Sequence, residues 1–369
     1  VTATDGAVTA TDGGVAVRAS AQTSHAVRVP QLDVLRGAAL ALVMLRHAWP
    51  SLFPGAGIVG VVMFFTLSGY LITASLRREW EEHGRVDFAE FSWRRAARLV
   101  PALLLVVAAF VVVTLVWDPL GDREVLASTV AVALTWTSNI PGLDASAAMF
   151  HLWTLALEEQ FYLVWPLLVV TALARGRAVA AIWLSAALCL ILALLTVARL
   201  SEKPDLAYPL PTPWAVALVV GAGISLVPRL RHRPRPGVPA AAIAWIVLGA
   251  LALTPMRGHA VTYVAAAPVV ALVTTVLIRR AGLARAPVSR SMRGLAWLGV
   301  ISYSAYLWNY PFTLWLRPCL GDWAGPLAAA STIAVAWASY RMVEEPTRAA
   351  VLRWRTRVRS KKGGPSHGG

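Results

Sequence analysis

Ten apolar stretches divide this chain: Leu32 to Trp49, Ile58 to Leu76, Leu99 to Trp117, Leu152 to Ala174, and residues 178–198, 212–230, 240–256, 261–278, 294–316 and 324–343. Their lengths lie near the roughly 20 residues that a helix needs to cross a bilayer. Backbone N–H and C=O groups inside hydrocarbon must bond within their own segment, so runs of this kind fold as helices. Only 14% of the 369 residues are charged, and the mean hydropathy is +0.62, far from the balance of a soluble domain. The expected fold is all-α: a polytopic membrane helix bundle of about ten transmembrane helices.

The formal net charge of +15 does not indicate nucleic acid, because Lys and Arg fall in blocks between apolar runs. These blocks are Arg77 to Arg98, Arg175 to Arg177, Arg229 to Arg235, Arg279 to Arg293, and the tail after Arg348. The positive-inside rule puts all of them on one side only if residues 125–140 do not cross. That stretch is short and carries Ser128, Thr129, Thr135, Thr137 and Ser138, so it reads as a re-entrant or surface helix. The chain is then expected in the cell membrane, multi-pass, with both termini cytoplasmic. Residues 1–28 repeat VTATDG in a polar, Gly-rich setting and read as a disordered segment, without the pattern of a cleaved signal peptide. Residues 29–347 form the transmembrane domain, and 348–369 a basic cytoplasmic tail held to anionic lipid. Cys189 and Cys319 lie in or beside apolar runs and imply neither a disulfide nor a metal site.

Ionisable groups within apolar helices are costly and mark sites or pathways. Arg36 and His47 are eleven residues apart in the first apolar run. On one helix that is about 16 Å and close to three turns, so both lie on nearly one face at different depths. Near the cytoplasmic end, Arg94, Arg95 and Arg98 present guanidinium forks suited to the phosphates of a cytosolic cofactor, although topology alone also accounts for Arg there. Glu158 and Glu159 fall inside a span, at the estimated depth of His47, where a carboxylate would raise imidazole basicity and fix its tautomer. Tyr306, Trp308, Asn309 and Tyr310 suit a pocket for a polyhydroxylated or amphipathic substrate, in competition with an interfacial aromatic belt. Glu344 lies at the depth of Arg36, where it could orient that side chain by an ion pair.

With these residues in view, the chain resembles the acyltransferase 3 family of integral membrane enzymes, from about Gln31 to Pro346. The resemblance rests on Arg36-x10-His47, MFFTLSGYLI at 63–72, WRRAARLVP at 93–101, LEEQFYLVWP at 157–166, ISYSAYLW at 301–308 and VEEP at 343–346. It implies acyl transfer from acyl-CoA, as a co-substrate and not a resident cofactor, to a hydroxylated small-molecule or glycan acceptor. It also implies that His47 is catalytic, with Arg36 and the Arg94 to Arg98 cluster holding the donor. Members acting on envelope sugars commonly show an Asp where this chain has VVMFF, and a His where it has Asn309. A soluble hydrolase-like part does not follow the apolar region in this sequence. These departures look like the subgroup that acylates macrolide and ansamycin antibiotics, which is the expected acceptor class, with envelope carbohydrate as the alternative. The competing function class is a transporter, in which the buried charges would relay protons or bind a solute. The internal repeats common in transporters are not evident, and the Arg cluster has no clear use there.

Overall fold

The computed structural model describes residues 29–282, 287–347, 349–351 and 353. The N-terminal segment 1–28, and almost all of the tail 348–369, lie outside the described residues. The described chain is helical, without strands. Its helices are α1 (Pro30–Ala48), α2 (Ala56–His83), α3 (Phe88–Val116), α4 (Leu126–Leu134), α5 (Trp153–Ala174), α6 (Ala178–Arg199), α7 (Ala215–Leu226), α8 (Pro228–Arg231), α9 (Val238–Leu253), α10 (Thr262–Gly282), α11 (Arg293–Val300), α12 (Ser302–Leu320) and α13 (Ala324–Ser339).

The helix ends follow local chemistry. Pro30 opens α1, where its missing N–H costs nothing. Helix α2 ends at Gly84, whose φ of 65° is the left-handed conformation that glycine adopts without strain. Asp87 then caps α3 by accepting from the Glu90 N–H at 2.8 Å.

Among the described residues, five helical stretches are long and apolar enough to cross a membrane: Ala56–His83, Phe88–Val116, Ala147–Ala174, Ala178–Arg199 and Thr262–Gly282. The expectation of about ten full crossings is not met by this measure. Helices α7 and α9 have 12 and 16 residues, reaching only about 18 and 24 Å. Helices α1 and α12, at 19 residues each, are long enough but diluted by polar side chains. The run 294–316, read as one span, is broken at Ile301 into α11 and α12. The break lets α11 lie along α1 at backbone contact while α12 takes its own direction. Residues 125–140 do contain a helix too short to cross: α4 has nine residues. The last span passes through a π-helical turn at Tyr340–Glu344, a distortion often found at functional sites. The outward faces of α5 and α6 are apolar, with Leu163, Leu167, Trp183, Leu184 and Ile191 all exposed.

The interior depends on small residues. A Cβ on Gly69 of α2 would lie 1.9 Å from the Leu218 carbonyl oxygen of α7, and one on Gly221 of α7 would lie 2.0 Å from that of Thr66. Helices α1 and α11 meet in the same way, with Gly37 against Leu295 and Gly299 against Asp33, each at 1.9 Å. Close backbone approach of this kind is how helices associate where lipid removes the hydrophobic drive. Trp165 Nε1 donates to Thr73 Oγ1 at 2.8 Å, tying α5 to α2.

Gly69→Ala should therefore force α2 and α7 apart and cost roughly 1–3 kcal/mol, the usual penalty of overpacking. Gly249→Ala, whose added Cβ would meet nothing within 4 Å, should be neutral or mildly stabilising. Thermal unfolding in detergent should separate the two variants. Equal melting temperatures would show that the contact is not tight in solution.

Candidate active site

Helix α1 serves two cavities. The first, about 280 Å³, contains Arg36 together with Arg94, Arg95 and Arg98 from α3, and Glu158 from α5. The second, about 250 Å³, contains Arg46 and His47 from the other end of α1, with His151, Tyr310 and Arg317. Val61 and Tyr306 line both cavities. They form a shared wall between an arginine cavity and a histidine cavity. The Tyr306 hydroxyl bonds Thr154 Oγ1 at 2.7 Å, which holds the ring in that wall.

His47 is oriented by an amide. Its Nδ1 lies 2.6 Å from Asn309 Oδ1, and an amide oxygen only accepts, so Nδ1 carries the proton and Nε2 keeps its lone pair. Asn309 is itself buried and donates from Nδ2 to Thr332 Oγ1 at 3.3 Å, which fixes the amide in this sense. The imidazole is thus set up as a neutral base at Nε2.

The expected contact between His47 and a carboxylate is replaced by this one. Glu159 instead grips Arg95, with Oε1 accepting from Nε at 3.0 Å and from Nη2 at 2.7 Å. The Arg95 guanidinium also lies 3.3 Å from the Tyr162 ring centroid. Glu158 lines the arginine cavity beside Ser68 and Tyr162. The expected depth is also corrected: the span begins at Ala147, in a 3-10 turn that runs to Leu152, so Glu158 and Glu159 lie further along it than a count from Leu152 gives and reach the arginine cavity at the Arg36 end of α1. Arg94 pairs with Glu90 at 3.5 Å and Glu79 at 3.6 Å. Glu344 is buried in the π turn and accepts from the Ser304 hydroxyl.

Of the four aromatic and amide positions on α12, three reach the cavities' neighbourhood. Tyr306, Asn309 and Tyr310 share a helix face at spacings of three and four. Trp308 does not: it points to the opposite side, stacks on Phe312 at 5.3 Å between ring centroids, and packs with Leu103 and Val106 of α3.

His151 was not singled out in the sequence. It is buried in the histidine cavity, its ring 5.6 Å from those of both Tyr306 and Tyr310. Neither ring nitrogen has a hydrogen-bond partner of good geometry, although the Ala148 and Leu307 backbones lie beside it. Its position two turns before Glu158 was the available signal. Tyr208, in the loop between α6 and α7, also lines this cavity, and burial pushes its phenol pKa up. Among the described residues no cluster of His, Cys, Asp and Glu could hold a metal.

The structure thus holds a cationic cavity and a histidine on opposite sides of one wall, and comparison with known proteins gives the family. The acyltransferase 3 profile, described as an acyltransferase domain, matches residues 29–341. The chain belongs to that family. The Bacillus subtilis protein YrhL is 28% identical over 363 residues, covering 89% of this chain and 56% of YrhL. Peptidoglycan O-acetyltransferase OatA of Listeria monocytogenes is 27% identical over 358 residues, 87% of this chain and 56% of OatA. O-acetyltransferase OatA of Staphylococcus aureus is 35% identical over 157 residues, 40% of this chain and 26% of that protein. The chain spans about half the length of the first two of these relatives. No solved structure matches it. The relatives' names do not carry the macrolide or ansamycin acceptor expected from VVMFF and Asn309; they favour the envelope-carbohydrate alternative.

His47→Ala should lower kcat for acyl transfer by about 10²–10⁴-fold, the usual worth of a general base. Asn309→Ala should lower kcat with little change in KM. The lost bond to a developing imidazolium is worth ~1.5–3 kcal/mol, or roughly 10–100-fold. Steady-state kinetics on protein matched for folding would check both. An Asn309→Ala enzyme with unchanged kcat would remove the amide from the mechanism.

Proposed function

We propose that this chain is a membrane O-acyltransferase that moves an acetyl-type group from acyl-CoA to a hydroxyl of cell-envelope carbohydrate. The observation that carries the reading is the pair of cavities meeting at Val61 and Tyr306. The donor's phosphates fit beside Arg36, Arg94 and Arg98, since guanidinium forks pair with phosphate oxygens. Arg95 is held by Glu159 and Tyr162 and serves more to shape the cavity than to grip the donor. The pantetheine arm would lead the thioester toward Tyr306, and the acceptor would enter from the His47 side. Acceptor class follows the three relatives, all named as O-acetyltransferases and two of them as acting on peptidoglycan.

In the proposed reaction His47 Nε2 takes the proton of the acceptor hydroxyl as its oxygen attacks the thioester carbonyl. The tetrahedral intermediate collapses with cleavage of the C–S bond. The imidazolium then returns the proton to the departing thiolate, leaving ester, free CoA and neutral histidine. The arginine cavity faces the cytoplasm in this reading, and both termini lie on that side, as the positions of the basic loops favour.

Purified protein incubated with acetyl-CoA and envelope glycan should release free CoA and yield O-acetylated product. In the same assay Arg36→Gln and Arg98→Gln should each raise KM for acetyl-CoA by about 10–100-fold, as expected for a lost charge-assisted bond of ~1.5–3 kcal/mol. KM for the acceptor should stay near wild type. Unchanged KM for acetyl-CoA in both variants would return the arginines to a topological role.

A further inference from the structure

The histidine cavity is strongly cationic, and nothing in the reaction above uses that charge. Arg46, Arg257 and Arg317 all line it, and the lining contains no carboxylate. Arg46 is half-buried at the end of α1, while Arg257 and Arg317 are exposed at the mouth. The nearest acid to Arg257 is Asp205, at 3.9 Å. Asp205 is already engaged by the Tyr263 hydroxyl at 2.5 Å and the Gly258 N–H at 2.8 Å. Arg257 also lies 4.5 Å from the Tyr208 ring centroid, which holds it over the cavity. These three arginines are at the far end of α1 from the Arg94 to Arg98 cluster, so the bias that gathers basic residues on one membrane face does not account for them.

We infer that the histidine cavity takes a polyhydroxylated acceptor bearing an anionic group, a carboxylate or a phosphate, which docks against Arg46, Arg257 and Arg317. This deepens the proposed function by naming the charge class of the acceptor, and it rests on that reading. Guanidinium pairs recognise either anion by bidentate bonds. Phe150, Trp153, Tyr208 and Tyr310 supply apolar faces beside them for the body of the molecule. The charge also bears on chemistry. Positive charge developing on His47 as it takes the hydroxyl proton would face three guanidiniums, and a bound anion would offset that repulsion. A cationic acceptor, such as a basic amino sugar, would meet repulsion from all three.

The test uses the full chain in detergent and matched probes: N-acetylmuramic acid with its methyl ester, and N-acetylglucosamine 1-phosphate with N-acetylglucosamine. Binding is measured calorimetrically and acetyl transfer from acetyl-CoA in parallel. Each anionic probe that enters the site should bind at least tenfold tighter than its neutral partner. The advantage should be lost in Arg257→Gln/Arg317→Gln, whose sites are exposed and tolerant, and regained in Arg257→Lys/Arg317→Lys. Selectivity for the muramic acid alone would assign a carboxylate, and for the sugar phosphate alone a phosphorylated acceptor. Equal binding of charged and neutral partners, or no binding with efficient acetylation of a neutral sugar, would overturn the inference. Anion-selective binding without acetyl transfer to any probe or to envelope glycan would sink the proposed function and leave the anion site standing.

Discussion

Helix α1 must keep Arg36 and His47 within an apolar bundle, and the rest of the structure is arranged around the two cavities that make this possible. A buried cation or imidazole without polar surroundings costs several kcal/mol. Here each has a cavity of its own, separated by about 16 Å of helix. The position of α1 is in turn set by its backbone contact with α11, where Gly37 and Gly299 leave no room for side chains. Packing by glycine thus fixes the depth at which the two polar groups operate.

The wall between the cavities carries the functional argument. Tyr306 is held by Thr154 and lines both cavities, so in the proposed reaction a thioester and a hydroxyl entering from opposite ends would meet beside it, with His47 lining the acceptor's side. In the proposed reaction Asn309 would make this geometry productive: by accepting from Nδ1 it leaves the Nε2 lone pair for the hydroxyl proton. An amide holds the ring as well as a carboxylate would, without adding a further buried charge that needs a partner.

Much of this was legible in the sequence. The spacing of Arg36 and His47 gave a shared face and two depths, because helical rise and pitch are fixed. The clustering of Arg94, Arg95 and Arg98 was visible for the same reason. The partner of His47 was not, because depth along an axis says nothing about which neighbouring helix faces the ring. Glu158 and Glu159 do not share the depth of His47: Glu158 lines the cavity of Arg36 and Glu159 pairs with Arg95, while His151, two turns earlier, is the residue of that span that reaches the His47 cavity. Trp308 was misplaced because one helix presents successive residues about 100° apart, so four polar or aromatic neighbours cannot share a pocket. The break at Ile301 and the shortness of α7 were hidden because apolar composition reports burial in lipid or protein alike. Acceptor class is the least legible part: VVMFF and Asn309 suggested antibiotics, whereas the relatives' names favour envelope carbohydrate.

The central claim is that donor and acceptor approach from opposite ends and react across the Tyr306 wall. It is tested most directly in proteoliposomes with radiolabelled acetyl-CoA outside and an envelope glycan trapped inside, neither able to cross the lipid. The account predicts labelled, O-acetylated glycan inside the vesicles and none with His47→Ala protein. Product formed only when donor and acceptor are on the same side would contradict it.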